Sequence, residues 1–105
     1  MGRIVIVAYK PKAGKAEELK ELTKTHVPRL RQEGLVTDRK PIIMEAADGT
    51  VIEVFEWLDA AAIERAHQNG VVHQLWAEYA EVCDYVNLNS VGETGNMFAE
   101  FNSID

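Results

Sequence analysis

Two histidines lie on the apolar faces of two predicted helices, and imidazole is the side chain best suited to accept a proton near neutral pH. His26 falls on the apolar face of the first helix and His67 on that of the second. Because both faces must pack on the same side of a sheet, the two rings are expected to open into one cavity. We therefore predict His26 and His67 as catalytic bases. The alternative for each is a structural histidine whose ring bonds to a nearby carbonyl group.

A strand predicted over residues 51–58 carries a carboxylate and two aromatic rings on one face. Side chains alternate along a strand, so Glu53, Phe55 and Trp57 share that face. Trp57 and Phe55 are predicted to bind substrate, with Trp57 as a wall on which a planar molecule stacks. The alternative is a core or interface role. Glu53 is predicted as catalytic, and its alternative is a structural ion pair.

The opposite face of the same strand carries a second carboxylate, Glu56. A buried carboxylate must be paired or protonated, so at least one of Glu53 and Glu56 needs a partner. Arg39 on the neighbouring strand is the nearest cationic candidate by register. Two further aromatic residues, Tyr9 and Trp76, are assigned to substrate binding, although core packing would also account for them. Tyr9 ends its strand, where its hydroxyl group can reach a pocket.

The sequence contains no recognisable pattern for a metal, a phosphate or a covalent nucleophile. His73 follows His67 by six positions, about 120° round a helix, instead of the i, i+4 spacing that chelates a metal. Cys83 lies in the apolar run of a helix, where a buried thiol is expected. Gly-rich phosphate loops, serine elbows and Cys-x-x-Cys pairs do not occur. We expect neither a metal nor a cofactor.

Composition and charge limit the classes of partner. The chain has 105 residues, a net charge of −6 and a single cysteine, and it predicts one domain over residues 1–105. The acidic balance argues against binding to nucleic acid or to an anionic membrane. Its longest apolar runs fall far short of the roughly 20 residues that span a bilayer. We expect a cytoplasmic protein in a reducing compartment.

The first half of the chain predicts a strand, a helix and a second strand. Residues 3–10 are apolar at nearly every position, as in a strand covered on both faces. A helix follows from residue 15, and Pro28 is expected to make it kink or restart near residues 25–27. Residues 35–46 are extended, and Pro41 places them at a sheet edge.

The second half predicts a hairpin partner, a long helix and a last strand. Asp48 and Gly49 form a tight turn into the strand over residues 51–58. Asp59 caps a helix that Gly70 weakens and that continues to Cys83. Residues 85–90 are the last core strand.

The element order β-α-β-β-α-β predicts an α+β, ferredoxin-like fold with an antiparallel four-stranded sheet. Helices cover one face of this sheet. The first and third strands, expected at its centre, are apolar on both sides, so the other face needs a cover as well. A second copy of the sheet is the simplest cover, and we predict a homodimer.

The chain resembles the antibiotic biosynthesis monooxygenase group of dimeric α/β-barrel proteins over roughly residues 3–91. The likeness lies in the element order, in Trp57 at the end of its strand, and in a second helix carrying Ala66-His67 and Leu75-Trp76. It implies a dimeric α/β barrel with a pocket between the sheet and helices of each subunit.

Two branches of that group fit the residues differently. Members that oxidise polycyclic phenols without a cofactor carry an asparagine four residues before the strand-end tryptophan, and Glu53 stands at that position. Haem-degrading members carry an asparagine on the first strand and a haem-ligating histidine late in the second helix. The first strand here has no asparagine, and Trp76 falls near the place of the histidine, so haem degradation is disfavoured.

Two functions follow from these residues. The first is a cofactor-independent oxygenase that acts on a small aromatic or apolar molecule, with His67 or His26 removing a proton. The second is a non-catalytic dimer that binds a small ligand or serves a stress or regulatory role. The absence of a complete catalytic set favours the second.

The C-terminal tail, residues 92–105, contains Met97, Phe98 and Phe101 and needs a surface to pack on. We predict a short helical turn from Gly92. Phe98 and Phe101, three residues apart as on one helical face, are predicted to dock at the dimer seam, partly on the other subunit.

Overall fold

The computed structural model describes residues 1–104 and contains one antiparallel sheet with the strand order β4-β1-β3-β2-β5. The strands are β1 (Arg3–Pro11), β2 (Ile42–Glu45), β3 (Val51–Trp57), β4 (Cys83–Val86) and β5 (Asn102–Ser103). As predicted, the first and third strands are central, and they pair antiparallel from Arg3 opposite Trp57 to Tyr9 opposite Val51. The α+β class is confirmed, and the arrangement is consistent with a ferredoxin-like fold.

The helices α1 (Ala16–Gln32), α2 (Ala60–Ala66) and α3 (Gly70–Val82) pack on one face of the sheet. The helix predicted to continue through Gly70 is in fact two helices: α2 ends at Ala66, and Asn69 caps the start of α3. Its side-chain oxygen accepts bonds from the N–H groups of Val71 and Val72. Within residues 1–104, no helix is both long and apolar enough to cross a membrane.

Three predicted element boundaries are wrong. Helix α1 runs unbroken through Pro28, whose ring lies on the exposed side, so the helix does not restart at residues 25–27. The predicted strand 35–46 shortens to β2, and its first part makes one isolated bridge between Val36 and Trp57. The last core strand begins earlier than predicted, at Cys83, and residues 88–90 form a 3-10 turn instead.

The two faces of the sheet are covered differently. The helix-covered face carries Glu53, Phe55 and Trp57, all buried as their alternation predicts. On the outer face, Ala8 and Ile52 are buried by the C-terminal segment, through Val91 with the half-buried side chains of Leu88 and Phe101. Elsewhere on the outer face three isoleucines are open, with exposures of 54% at Ile4, 50% at Ile6 and 59% at Ile42.

The tail confirms the predicted turn but not the shared helical face of its phenylalanines. A 3-10 helix covers Gly92–Gly95, and the segment that carries both rings is irregular. Phe101 packs on its own sheet, whereas Phe98 is 80% exposed. An additional strand, β5, pairs with β2. Docking on a second subunit stays a prediction, and the last residue of the predicted tail, Asp105, lies outside the described residues.

A bidentate ion pair joins α1 to α3 and should make stability depend on pH. Both guanidinium nitrogens Nη1 and Nη2 of Arg29 donate to Glu78, each at 2.9 Å. These bonds, with a further one from Gln74, hold the pKa of Glu78 below its ordinary value despite partial burial. Because the folded value is depressed, the pair stabilises the fold above the unfolded pKa of about 4.3 and is lost as pH falls.

We therefore expect Glu78→Gln to lower the free energy of unfolding near neutral pH by less than about 1 kcal/mol, because solvent screens a partly exposed pair. The difference from wild type should shrink as the pH falls below about 4. Urea denaturation at a series of pH values measures both. Glu18→Gln, which removes an exposed pair with Lys15 on α1, is the control and should change less. A difference that persists in acid would assign the effect to packing.

Candidate functional site

A fully buried carboxylate lies at the centre of the helix-covered face. Glu53 of β3 has no exposed surface, and its Oε1 atom takes part in two hydrogen bonds. The hydroxyl group of Tyr9 donates to it at 2.7 Å, and Nδ1 of His26 lies 2.8 Å away. Within residues 1–104, the other oxygen of Glu53, Oε2, has no hydrogen-bond partner.

Three different elements bring these groups together. Strand register sets Val7 opposite Glu53 and Tyr9 opposite Val51, so Tyr9 is a diagonal neighbour of the carboxylate on the same face. His26 reaches down from α1, where it lies on the buried side of the helix. Burying a carboxylate costs several kcal/mol unless hydrogen bonds or charges compensate it. The hydrogen bonds to Tyr9 of β1 and His26 of α1 supply part of that compensation.

A cavity of about 400 Å3 lies beside this network. It is within the range of about 300–1,000 Å3 that is usual for small-molecule sites. Six of the eight lining residues carry aromatic or imidazole rings: the wall consists of Val5, Val7, Tyr9, His26, Phe55, Trp57, Trp76 and Tyr85. Flat rings on several sides suit a planar apolar molecule, which can stack or meet a ring edge.

Ring contacts fix the orientation of the imidazole. The His26 ring meets the rings of Phe55 and Tyr79 edge-on, with centroids 5.2 and 5.3 Å apart. Tyr79 in turn stacks on Tyr9 at 4.6 Å. Because the rings hold one another, His26 and Tyr9 have little freedom to turn away from Glu53.

The electrostatic character of the cavity follows from burial. Burial and then the charge of Glu53 raise the pKa of Tyr9 well above its ordinary value, so Tyr9 keeps its proton and acts as a donor. The same two causes raise the pKa of Tyr79. Burial chiefly raises the pKa of Tyr85 to about 12. No lysine or arginine within the described part of the chain lines the cavity, which therefore suits an uncharged molecule.

Six of the seven predicted site residues come together here. His26, Tyr9, Phe55, Trp57 and Trp76 line the cavity, and Glu53 lies directly behind His26 and Tyr9. Sequence reasoning expected an ion pair for at least one glutamate, and Arg39 does pair with Glu56 on the outer face, at 3.1 Å. It did not identify His26 and Tyr9 as the partners of Glu53.

His67 is the predicted site residue that lies apart. It is exposed at the end of α2, and its ring meets the ring of Trp76 edge-on, with centroids 5.3 Å apart. It is not part of the cavity wall, so its connection to the site runs through Trp76. His73 lies beside the same tryptophan ring, also exposed, and its Nε2 bonds to the carbonyl oxygen of His67.

Tyr85 is the lining aromatic residue that sequence reasoning missed. It is the third residue of β4, where its pairing with Tyr9 brings it to the cavity. The only sequence signal was an aromatic residue at a strand start, and its face depends on a register that the sequence does not reveal.

The remaining predicted features are structural. Cys83 is buried, its thiol donates to the carbonyl oxygen of Tyr79, and burial raises its pKa to about 11. It therefore remains a thiol near neutral pH. In the part of the chain described, residues 1–104, no three His, Cys, Asp or Glu side chains are grouped so as to hold a metal ion.

A second cavity, of about 680 Å3, is larger, but its lining residues are less suited to catalysis. It lies at the β2 edge between Lys24, Lys40 and Ile104, the last described residue. Both lysines are exposed, and no buried polar group of the described residues converges there. We take the aromatic cavity as the candidate site because a buried carboxylate and an imidazole meet at its wall.

No protein-family model, curated protein or solved structure matches this chain. A function is therefore inferred from the cavity residues and their contacts.

The raised pKa values of the three tyrosines can be measured directly. We expect the folded protein to show little phenolate absorption at about pH 10, whereas the urea-unfolded chain titrates near that pH. Because ionisation favours the unfolded chain, stability should fall as pH rises above about 10. Tyr85→Phe should remove the earliest ionisation of the folded protein, near pH 12. Full ionisation near pH 10 with an unchanged circular dichroism spectrum would contradict the burial of Tyr9 and Tyr79.

Proposed function

We propose that the protein binds a small, uncharged, mainly aromatic molecule in the aromatic cavity and oxidises it without a cofactor, as an antibiotic biosynthesis monooxygenase-like enzyme. One observation carries the proposal. An imidazole, His26, forms part of an aromatic wall and is backed by a buried carboxylate at 2.8 Å. This pairing of base and carboxylate is the arrangement by which proteins orient a histidine for proton transfer.

In this reaction His26 accepts a proton from the substrate, and the substrate supplies the electrons that reduce oxygen. A phenolic substrate gives its O–H proton to the imidazole and becomes an anion delocalised over its ring. That anion reduces molecular oxygen: one oxygen atom replaces a ring hydrogen and becomes a carbonyl group, and the other leaves as water. Phenol plus O2 gives quinone plus water, so the reaction balances without an external reductant. The rings of the cavity wall would limit the contact of this anion with water.

The second candidate function is a non-catalytic dimer that binds the same class of molecule, in a stress or regulatory role. Two observations favour it. Glu53 replaces the asparagine of the oxygenases that the chain resembles, and no cation among the described residues lines the cavity to stabilise an oxyanion. The two functions share the ligand and differ in whether oxygen is consumed.

Both functions include a homodimer in which two sheets meet through their outer faces as a dimeric α/β barrel. Ile4, Ile6 and Ile42 are each at least half exposed on this face. Ile6 and Ile42 lie next to a covered part of the same face, where Ala8 and Ile52 are buried, and Ile4 lies beyond Ile6 on β1. Burial of the exposed isoleucines by a second copy would stabilise the pair by the hydrophobic effect.

We expect wild type to sediment as a dimer at micromolar concentration, with an interface near the usual size of about 1,600 Å2. Ile6→Lys places a charge in the middle of the open face and should give a monomer. Val71→Lys is the matched control, because Val71 is 40% exposed on α3, away from the outer face, and this variant should remain a dimer. Sedimentation velocity decides, and a monomeric wild type would defeat the barrel.

Turnover and binding can be separated at His26. We expect His26→Gln to lower the rate of oxygen uptake with phenolic substrates by about 10²- to 10⁴-fold, the usual contribution of general-base catalysis. Binding of 2-naphthol, followed by quenching of tryptophan fluorescence, should change much less. His73→Gln, outside the cavity wall, is the control.

His67→Ala tests the second histidine predicted from sequence. Because its ring reaches the cavity only through Trp76, we expect a smaller loss than at His26. An equal loss would restore His67 as the base. Naphthol binding without oxygen uptake by wild type, across a panel of phenols, would favour the non-catalytic function.

A further inference from the structure

Both hydrogen bonds of Glu53 converge on a single oxygen atom, and this asymmetry has a consequence for His26. We infer that Glu53 is a positioning residue that keeps the proton of neutral His26 on Nδ1. The other nitrogen, Nε2, is then unprotonated and faces the cavity. The cavity then offers a hydrogen-bond acceptor and selects apolar aromatic molecules that donate a hydrogen bond, such as phenols, enols or N–H heteroaromatics. The ligand class rests on the proposed function, whereas the position of the proton does not.

The direction of the bond from His26 follows from what each group can donate. An ionised carboxylate only accepts, so the contact of 2.8 Å requires a proton on Nδ1. The opposite arrangement would need Glu53 protonated on Oε1. That oxygen already accepts the Tyr9 hydroxyl at 2.7 Å, and the hydroxyl oxygen of a carboxylic acid is a poor acceptor. A proton on Oε2 would be a buried donor without an acceptor, because Oε2 has no partner.

The other ring nitrogen remains available. Within residues 1–104, Nε2 of His26 has no hydrogen-bond partner. Unlike Oε2 of Glu53, which is also unbonded but fully buried, this nitrogen keeps some accessible surface. Since the ring forms part of the cavity wall, Nε2 faces the cavity. With Nδ1 bonded to Glu53, Nε2 is an acceptor for a donor on the ligand.

Tyr9 keeps the carboxylate in place. It is 1% exposed and stacks on Tyr79, so its hydroxyl group cannot follow Glu53 to another position. Rotation of the carboxylate would therefore break the bond to Tyr9 as well as that to His26. The three side chains form one unit in which Glu53 links a fixed tyrosine to the imidazole.

The tautomer can be measured without any ligand. In protein labelled with 15N at histidine, the nitrogen shifts of the neutral ring distinguish Nδ1–H from Nε2–H. Comparison with His26→Gln assigns the signals of His26. We expect Nδ1–H as the major form, and a major Nε2–H form overturns the inference.

The carboxylate can be removed without shortening the side chain. Glu53→Met is unbranched and of similar size, and removing a buried charge in this way is often tolerated. We expect His26 to shift to the Nε2–H form that free imidazole side chains prefer. Glu56→Met, on the outer face of the same strand, is the matched control and should keep Nδ1–H. If Glu53→Met does not fold, the wild-type tautomer alone decides.

Ligand preference gives an independent measurement. Wild type should bind 2-naphthol roughly 5- to 100-fold more tightly than 2-methoxynaphthalene, which has no donor. Glu53→Met should lose most of that preference, and Glu56→Met should keep it. A preference that survives in Glu53→Met overturns the positioning role.

The two failures are distinguishable. If neither probe binds wild type but His26 carries Nδ1–H, the positioning role stands and the proposed ligand is wrong. If naphthol binds tightly while His26 carries Nε2–H, the ligand stands and the positioning role is overturned.

Discussion

The rest of the site depends on one buried carboxylate. A charged group with no exposed surface is costly, and it persists only where neighbours compensate it. At Glu53 those neighbours come from β1 and α1, so the strand register, the rotation of α1 and the packing of the tyrosines must all suit this one side chain. An apolar residue at position 53 would relax these demands. The site is thus a place where packing alone does not explain the residue chosen.

Alternation and periodicity were enough to predict the sheet centre and the shared face of Glu53, Phe55 and Trp57, because those patterns follow from backbone geometry. They also placed His26 on the buried side of α1. These patterns failed to predict features that depend on a single capping side chain or on the pairing of one strand. The helix breaks after Ala66 and restarts where Asn69 caps α3, and Tyr85 joins the cavity through a register that pattern alone does not fix. The partners of Glu53 were missed because both lie far away in sequence, 44 and 27 residues distant.

His67 illustrates a different error of sequence reasoning. Its spacing put it on the apolar face of a long continuous helix, and the reasoning would hold if that helix existed. Since α2 ends at Ala66, His67 falls in the joint between two short helices and becomes exposed. An unpredicted break in a helix can therefore remove a side chain from a predicted site, which is why boundaries limit such predictions.

The small strand β5 has a consequence for how the sheet avoids aggregation through its edges. An uncovered strand edge offers unpaired N–H and C=O groups, a template on which other chains can aggregate. Asn102 and Ser103 occupy the edge of β2 at Glu45 and Met44, and the N–H of Ile104 bonds to the carbonyl oxygen of Ile43. At the other edge of the sheet, β4 is only four residues long and carries the charge of Asp84. Both edges are thus poor templates for aggregation by strand pairing, although the strands they flank are among the most apolar in the chain.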